Sequence, residues 1–83
     1  MPKQMTIAIV DDEQDMRESI SQWLSLSGYR TITFSSAEAA LKNLESDFAG
    51  IFISDIKMPG MDGISFLRRL QSIDNQLPVI LIT

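Results

Sequence analysis

Hydrophobic positions along the chain come in two rhythms. Short apolar runs, Ile7-Ala8-Ile9-Val10, Ile51-Phe52-Ile53-Ser54 and Val79-Ile80-Leu81-Ile82, alternate with stretches whose apolar residues recur at helical spacing. Unbroken runs of this length read as strands buried on both faces, and their alternation with helical segments predicts βα units around a parallel sheet. Met16, Ile20, Trp23 and Leu24 stand at i, i+4, i+7 and i+8, which predicts a helix over roughly 14–27 that buries this face and stops at Gly28. Arg30 to Phe34 alternates Thr31 and Thr33 with Ile32 and Phe34, the pattern of a half-exposed edge strand.

Ser35-Ser36-Ala37-Glu38 has the spacing of a capping box and opens a second helix that buries Ala40, Leu41 and Leu44. Gly50 precedes the third strand. Pro59, Gly60 and Gly63 set special backbone angles after it, and Asp62 is placed to N-cap a third helix with Phe66, Leu67, Leu70 and Ile73 on its apolar stripe. Asn75 to Pro78 closes that helix before the last strand. Right-handed crossovers and the edge character of the second strand predict an α/β fold, a flavodoxin-like doubly wound parallel sheet with strand order 2-1-3-4.

The polar residues that end these runs carry the chemistry. The first run meets Asp11-Asp12, the third strand meets Asp55, and the last meets Thr83. All four therefore fall at carboxyl ends of parallel strands, where open α/β sheets place their ligands. Crowded carboxylates repel one another, so a cation is their natural partner. With no histidine and no cysteine in the chain, the ligands are all oxygen, which favours Mg²⁺ over zinc. Magnesium usually keeps waters and takes phosphate oxygens, so such a pocket suits phosphoryl chemistry.

Composition narrows the rest. Eighty-three residues leave room for one domain, which buries only roughly 60–65% of its unfolded surface and is modestly stable. The lack of cysteine excludes a disulfide framework and thiolate chemistry. A net charge of −4 opposes binding to the phosphate backbone of nucleic acid. No run approaches a membrane span and the first residues lack the pattern of a secretory signal, so the expected location is cytoplasmic.

The acidic pair Asp11-Asp12, the segment Asp55-Ile56-Lys57-Met58-Pro59-Gly60-Met61-Asp62-Gly63 and Leu81-Ile82-Thr83, in this order, resemble the receiver domain of two-component response regulators. The resemblance runs from Met5 to the last residue. The stretch from Ser46-Asp47-Phe48-Ala49-Gly50 through Gly63 is most similar to receivers of sigma-54-dependent activators, the C4-dicarboxylate-transport regulators among them. It implies that Asp55 accepts a phosphoryl group from a sensor histidine kinase. It also implies that Asp11, Asp12, Asp55 and the backbone carbonyl of Lys57 hold Mg²⁺, Asp12 more directly than Asp11, and that Thr83 contacts the phosphoryl group and moves inward as a switch. Control of transcription through further domains is implied as well. Against the family pattern, residues 1–83 form a receiver incomplete at its C-terminus, without the fifth strand, the last two helices or the lysine that follows the fifth strand. The fully apolar last strand is then left at an open edge, which implies self-association.

Each residue alone has a plainer explanation. An Asp-Asp pair ahead of a helix serves as a cap and dipole partner, and an Asp after a strand serves as a turn residue. The joint pattern, in order and in register, favours the pocket. Asp62 needs no role beyond capping, and Met16, Met58, Met61 and Trp23 read as packing residues. Two competing functions remain open at this point. One is a binding-only module that is never phosphorylated. The other is a Mg²⁺-dependent phosphohydrolase, which lacks the expected second carboxylate because position 57 is lysine.

Overall fold

The computed structural model describes residues 5–44 and 48–82. Its elements follow the order β1 (Thr6–Val10), α1 (Gln14–Leu26), β2 (Arg30–Phe34), α2 (Ala37–Lys42), β3 (Gly50–Asp55), α3 (Gly63–Ile73) and β4 (Val79–Ile82). The strands form one sheet in the order β2-β1-β3-β4, every neighbouring pair parallel. Register aligns Val10 with both Phe34 and Ser54, and Asp55 with Ile82. The carboxyl ends of β1 and β3 are thus level, and the next residue of each chain path, Asp11 and Asp55, is acidic. Gly50 lets β3 start tight against β1, because a Cβ there would collide with the carbonyl of Thr6.

The two sheet faces are packed differently. Ala8, Val10 and Phe52 point toward α2 and α3 and join Ala37, Ala40, Met58, Phe66 and Leu70 in one buried cluster. Phe66 meets Phe52 edge-on at 5.5 Å between ring centroids, a favoured aromatic geometry. Fully burying a side chain such as Phe or Leu contributes about 1.5–3 kcal/mol, so this cluster supplies most of the cohesion available to so small a chain. Ile7 and Ile9 project to the opposite face, toward α1, and are also buried.

Along α1 the expected burial fails. None of its residues is buried; Met16 is 47% and Trp23 74% exposed, while Ile20 and Leu24 are half-buried. The helix lies over β2 and β1 through a polar seam, with the Ser21 and Ser25 hydroxyls on the Thr31 hydroxyl at 2.8 and 3.1 Å. It therefore does not reach β3 and β4, whose residues on this face, Ile51, Ile53, Ile80 and Ile82, are half-buried or exposed. Among the described residues β4 is the last strand of the sheet, and its Ile80 is 48% exposed.

The helix ends follow local chemistry. Gly28, at φ +94°, closes α1 in a Schellman motif: its N–H donates to Ser25 O, and the Tyr29 N–H donates to Leu24 O, each at 3.1 Å. Helix α2 is capped by Ser36, whose hydroxyl accepts from the Ala39 N–H at 3.1 Å. The expected capping box does not form, because the cap is Ser36 and not Ser35, which leaves Glu38 at the second helical position and Ala39 at the third. Ala40 is buried and Leu41 half-buried, while Leu44, expected on the same helix, lies past its C-cap Asn43 and is half-buried. Asp62 caps α3 by accepting from the Ser65 N–H at 2.8 Å. Phe66 and Leu70 of its stripe are buried, but Ile73 in the last turn is 59% exposed.

Candidate functional site

Parallel register brings three carboxylates together. Asp11, immediately after β1, is 4% exposed, and its carboxylate accepts from the Glu13 N–H at 2.9 Å. Its carbonyl accepts from the Arg17 guanidinium at 2.9 Å, which fastens the first turn of α1 to the end of β1. Asp12 is exposed and Asp55 half-buried. One carboxylate oxygen from each of Asp11, Asp12 and Asp55 lies within 4.8 Å of the others. No hydrogen bond from a described residue reaches the carboxylates of Asp12 or Asp55. The capping explanation of the pair fails for Asp12, since the N-cap position of α1 is Glu13.

Asp12, Glu13, Asp55, Ile56 and Lys57 line a cleft of about 340 Å³ at this strand edge. Asp11 sits behind the cleft wall, so Asp12 and Asp55 are the carboxylates with direct access to a ligand. Three oxygen donors of like charge, without nitrogen or sulfur, fit a hard divalent cation better than a softer metal.

The segment from Asp55 to α3 forms the other wall and is firmly pinned. The Ile56 N–H donates to Ile82 O at 3.1 Å, and the Gly63 N–H donates to Ile56 O at 2.8 Å. Gly63 has no alternative here, since a Cβ would overlap the carbonyl of Asp55. Met58 is buried in the main cluster. At Gly60 the backbone turns through φ +75°, and the Met61 N–H donates to the Glu38 carboxylate at 2.7 Å. That bond, together with Glu38's other hydrogen bonds, holds the Glu38 carboxyl below the usual carboxylate range. The amide and hydroxyl of Ser65 do the same for Asp62.

This pocket is where comparison with known proteins becomes decisive. Residues 7–83 match the family of the response regulator receiver domain. The chain belongs to that family. Among curated relatives it is 46% identical over 78 residues to the C4-dicarboxylate transport transcriptional regulatory protein DctD of Rhizobium meliloti, covering 94% of this chain and 17% of that protein. The crystal structure of FixJ-N superposes with a TM-score of 0.89 at 34% identity, covering 99% of this chain and 66% of that one. The response regulator protein TrrA of Thermotoga maritima, solved in complex with Mg(2+)-BeF, superposes at 0.88 with 32% identity, covering 94% of this chain and 68% of that one. The chain thus spans less than a fifth of the length of DctD.

The receiver sequence expectations meet this geometry unevenly. Asp11, Asp12 and Asp55 converge, and Lys57, exposed, lines the same cleft. Thr83 lies outside the described residues; its neighbour Ile82 pairs with Asp55 at the end of β4. Glu13 and Ile56 in the cleft wall had no signal beyond adjacency to Asp12 and Asp55. The spacing of Glu38 to the preceding serines predicts a local capping partner, and nothing local marks a bond to a residue 23 positions away.

Proposed function

We propose that this chain is the phosphoacceptor receiver of a two-component response regulator. The observation that carries the reading is the convergence of three carboxylates within 4.8 Å at the ends of β1 and β3, beside an open cleft. Asp55 is the nucleophile: a carboxylate oxygen attacks the phosphorus of a sensor kinase's phosphohistidine, an O–P bond forms, the N–P bond breaks, and the electron pair returns to the imidazole. Half-buried at the cleft, Asp55 has no hydrogen bond from a described residue that would compete with this role.

Asp12 and Asp55, with Asp11 behind them and the carbonyl of Lys57, would hold Mg²⁺. Bound there, the ion neutralises charge that grows on the phosphoryl oxygens. Asp11 orients the turn into α1 through the Glu13 amide, which keeps Asp12 beside Asp55. Thr83, one residue past the β4 partner of Asp55, would take a phosphoryl oxygen and carry the switch. Likeness to a DctD and to a receiver solved with Mg(2+)-BeF supports transcription control as output and Mg²⁺ as cofactor. Residues 1–83 would constitute the receiver part of such a cytoplasmic regulator, with a sensor histidine kinase as partner and no nucleic-acid contact of their own. They would self-associate through β4.

Incubation with acetyl phosphate tests the reading. The protein should gain one phosphoryl group in Mg²⁺ and none in excess chelator, and Asp55→Asn should gain none. Stoichiometric labelling of Asp55→Asn would overturn it.

A further inference from the structure

Residues 57–61 cross from the cleft wall to the cap of α3. They are fastened at their ends through Ile56, Asp62 and Gly63, and in the middle by the buried Met58 side chain. Among the described residues, a single hydrogen bond reaches the backbone of this stretch: the Met61 N–H donates to Glu38 Oε1 at 2.7 Å. A charged acceptor makes that bond roughly twice as strong as a neutral one. Glu38 is not the cap of α2, which is Ser36; its carboxylate also meets its own backbone amide and the Ser36 side chain, but the Met61 amide is its strongest partner. The loop also makes room for it, since a Cβ at Gly60 would stand 3.0 Å from Glu38 Oε1. Gly60 thus serves two constraints, a positive φ of +75° and the approach of a carboxylate.

We infer that Glu38 is a positioning residue for the phosphorylation site: from α2 it clamps the loop after β3, so that the Lys57 backbone is held at the cleft beside Asp12 and Asp55. This inference rests on the phosphoacceptor reading above. A hydrogen bond on the far side of the loop limits how far Lys57 can swing, since only Met58, Pro59 and Gly60 lie between it and Met61. Outer partners of metal ligands change affinity by about 10–100-fold, and a carbonyl restrained at one remove should be worth about threefold to tenfold.

Glu38→Ala, Glu38→Gln and Asp12→Ala separate the possibilities, with Mg²⁺ affinity read by calorimetry and the Met61 amide read by hydrogen exchange. The expected result for Glu38→Ala is faster exchange at Met61, an Mg²⁺ affinity about threefold to tenfold weaker, and a melt that stays cooperative. Glu38→Gln keeps a neutral acceptor oxygen and should restore both in part, falling between the parent and Glu38→Ala. Gly60→Ala, which pushes the carboxylate away, should weaken Mg²⁺ in the same direction while the melt stays cooperative. Wild-type Mg²⁺ affinity in Glu38→Ala, with Asp12→Ala impaired, would overturn the clamp and leave the pocket standing. Wild-type affinity in both variants would overturn the pocket itself and the clamp with it.

Discussion

The two faces of the sheet show what fold and function each demand. On the α2 and α3 side, Phe52, Phe66, Leu70, Val10 and their neighbours exclude solvent almost completely. On the α1 side the β1 residues Ile7 and Ile9 are sealed, whereas Ile51, Ile53 and Ile82 of β3 and β4 are half-buried and Ile80 is exposed. The acidic cleft stands at the carboxyl ends of β1 and β3, where neither face needs to bury it. Cohesion therefore comes from one face, while the other is left partly open and the candidate site stands at the edge between them. Substitutions should sort accordingly.

The largest effect belongs to the sealed face. Truncating Phe52 or Phe66 to alanine should cost about 3–5 kcal/mol, enough to unfold most of a marginally stable domain at room temperature. Trp23→Ser, on a side chain 74% exposed, should stay within about 0.5 kcal/mol of the parent. Urea titrations of the three variants measure the difference, and a Trp23→Ser penalty as large as that of the phenylalanines would erase the distinction between the faces.

Next comes association. Strand β4 leaves one edge unpaired among the described residues, and Ile80 is 48% exposed on the open face. Edge strands that are flat and apolar recruit other chains, and an outward lysine blunts them. Light scattering after size exclusion should show a mass above that of the monomer for the parent chain. Ile80→Lys should return it toward 9.3 kDa. A monodisperse parent monomer would mean that the open face is tolerated as it stands.

A smaller effect separates cap from pocket at the strand edge. Asp62→Ala should lower thermal stability by removing the bond to Ser65 and leave Mg²⁺ affinity unchanged. Asp12→Ala should do the reverse, weakening Mg²⁺ binding while relief of charge repulsion leaves the metal-free protein equally or more stable. Equal effects on metal binding would show that the two acids are not divided in this way.

The smallest effect is acid sensitivity. Glu38 and Asp62 are both held below their ordinary carboxyl values in the folded chain, by the Met61 and Ser65 amides first. A group with a depressed folded pKa contributes fully above its unfolded value, and that contribution fades as pH falls through the folded one. Stability should therefore decline from the usual carboxylate range downward. Both Glu38→Gln and Asp62→Asn should flatten that decline, which acid titrations of the melting temperature can follow.

Where the sequence spoke clearly, one local rule decided the outcome. Unbroken apolar runs ending in acid located β1, β3 and the pocket, and Gly28 and Asp62 fell at the helix ends their chemistry suits. Two features escaped because they depend on neighbours. The burial of Met16, Ile20, Trp23 and Leu24 required a partner surface, and helical spacing records only that those residues share a face. The bond from Glu38 to Met61 required tertiary approach, while the serines beside it offered a nearer, misleading explanation. The edge position of β4 among the described residues, by contrast, followed from the strand order 2-1-3-4.

The central claim is that Asp55, facing Asp11 and Asp12, is the residue that takes the phosphoryl group. Trapping the product with borohydride after incubation in acetyl phosphate and Mg²⁺, followed by peptide mass spectrometry, tests it most directly. The account predicts a single reduced aspartate at position 55, absent when Mg²⁺ is chelated. Reduction at Asp11, Asp12 or Asp62 instead, or labelling indifferent to the metal, would contradict it.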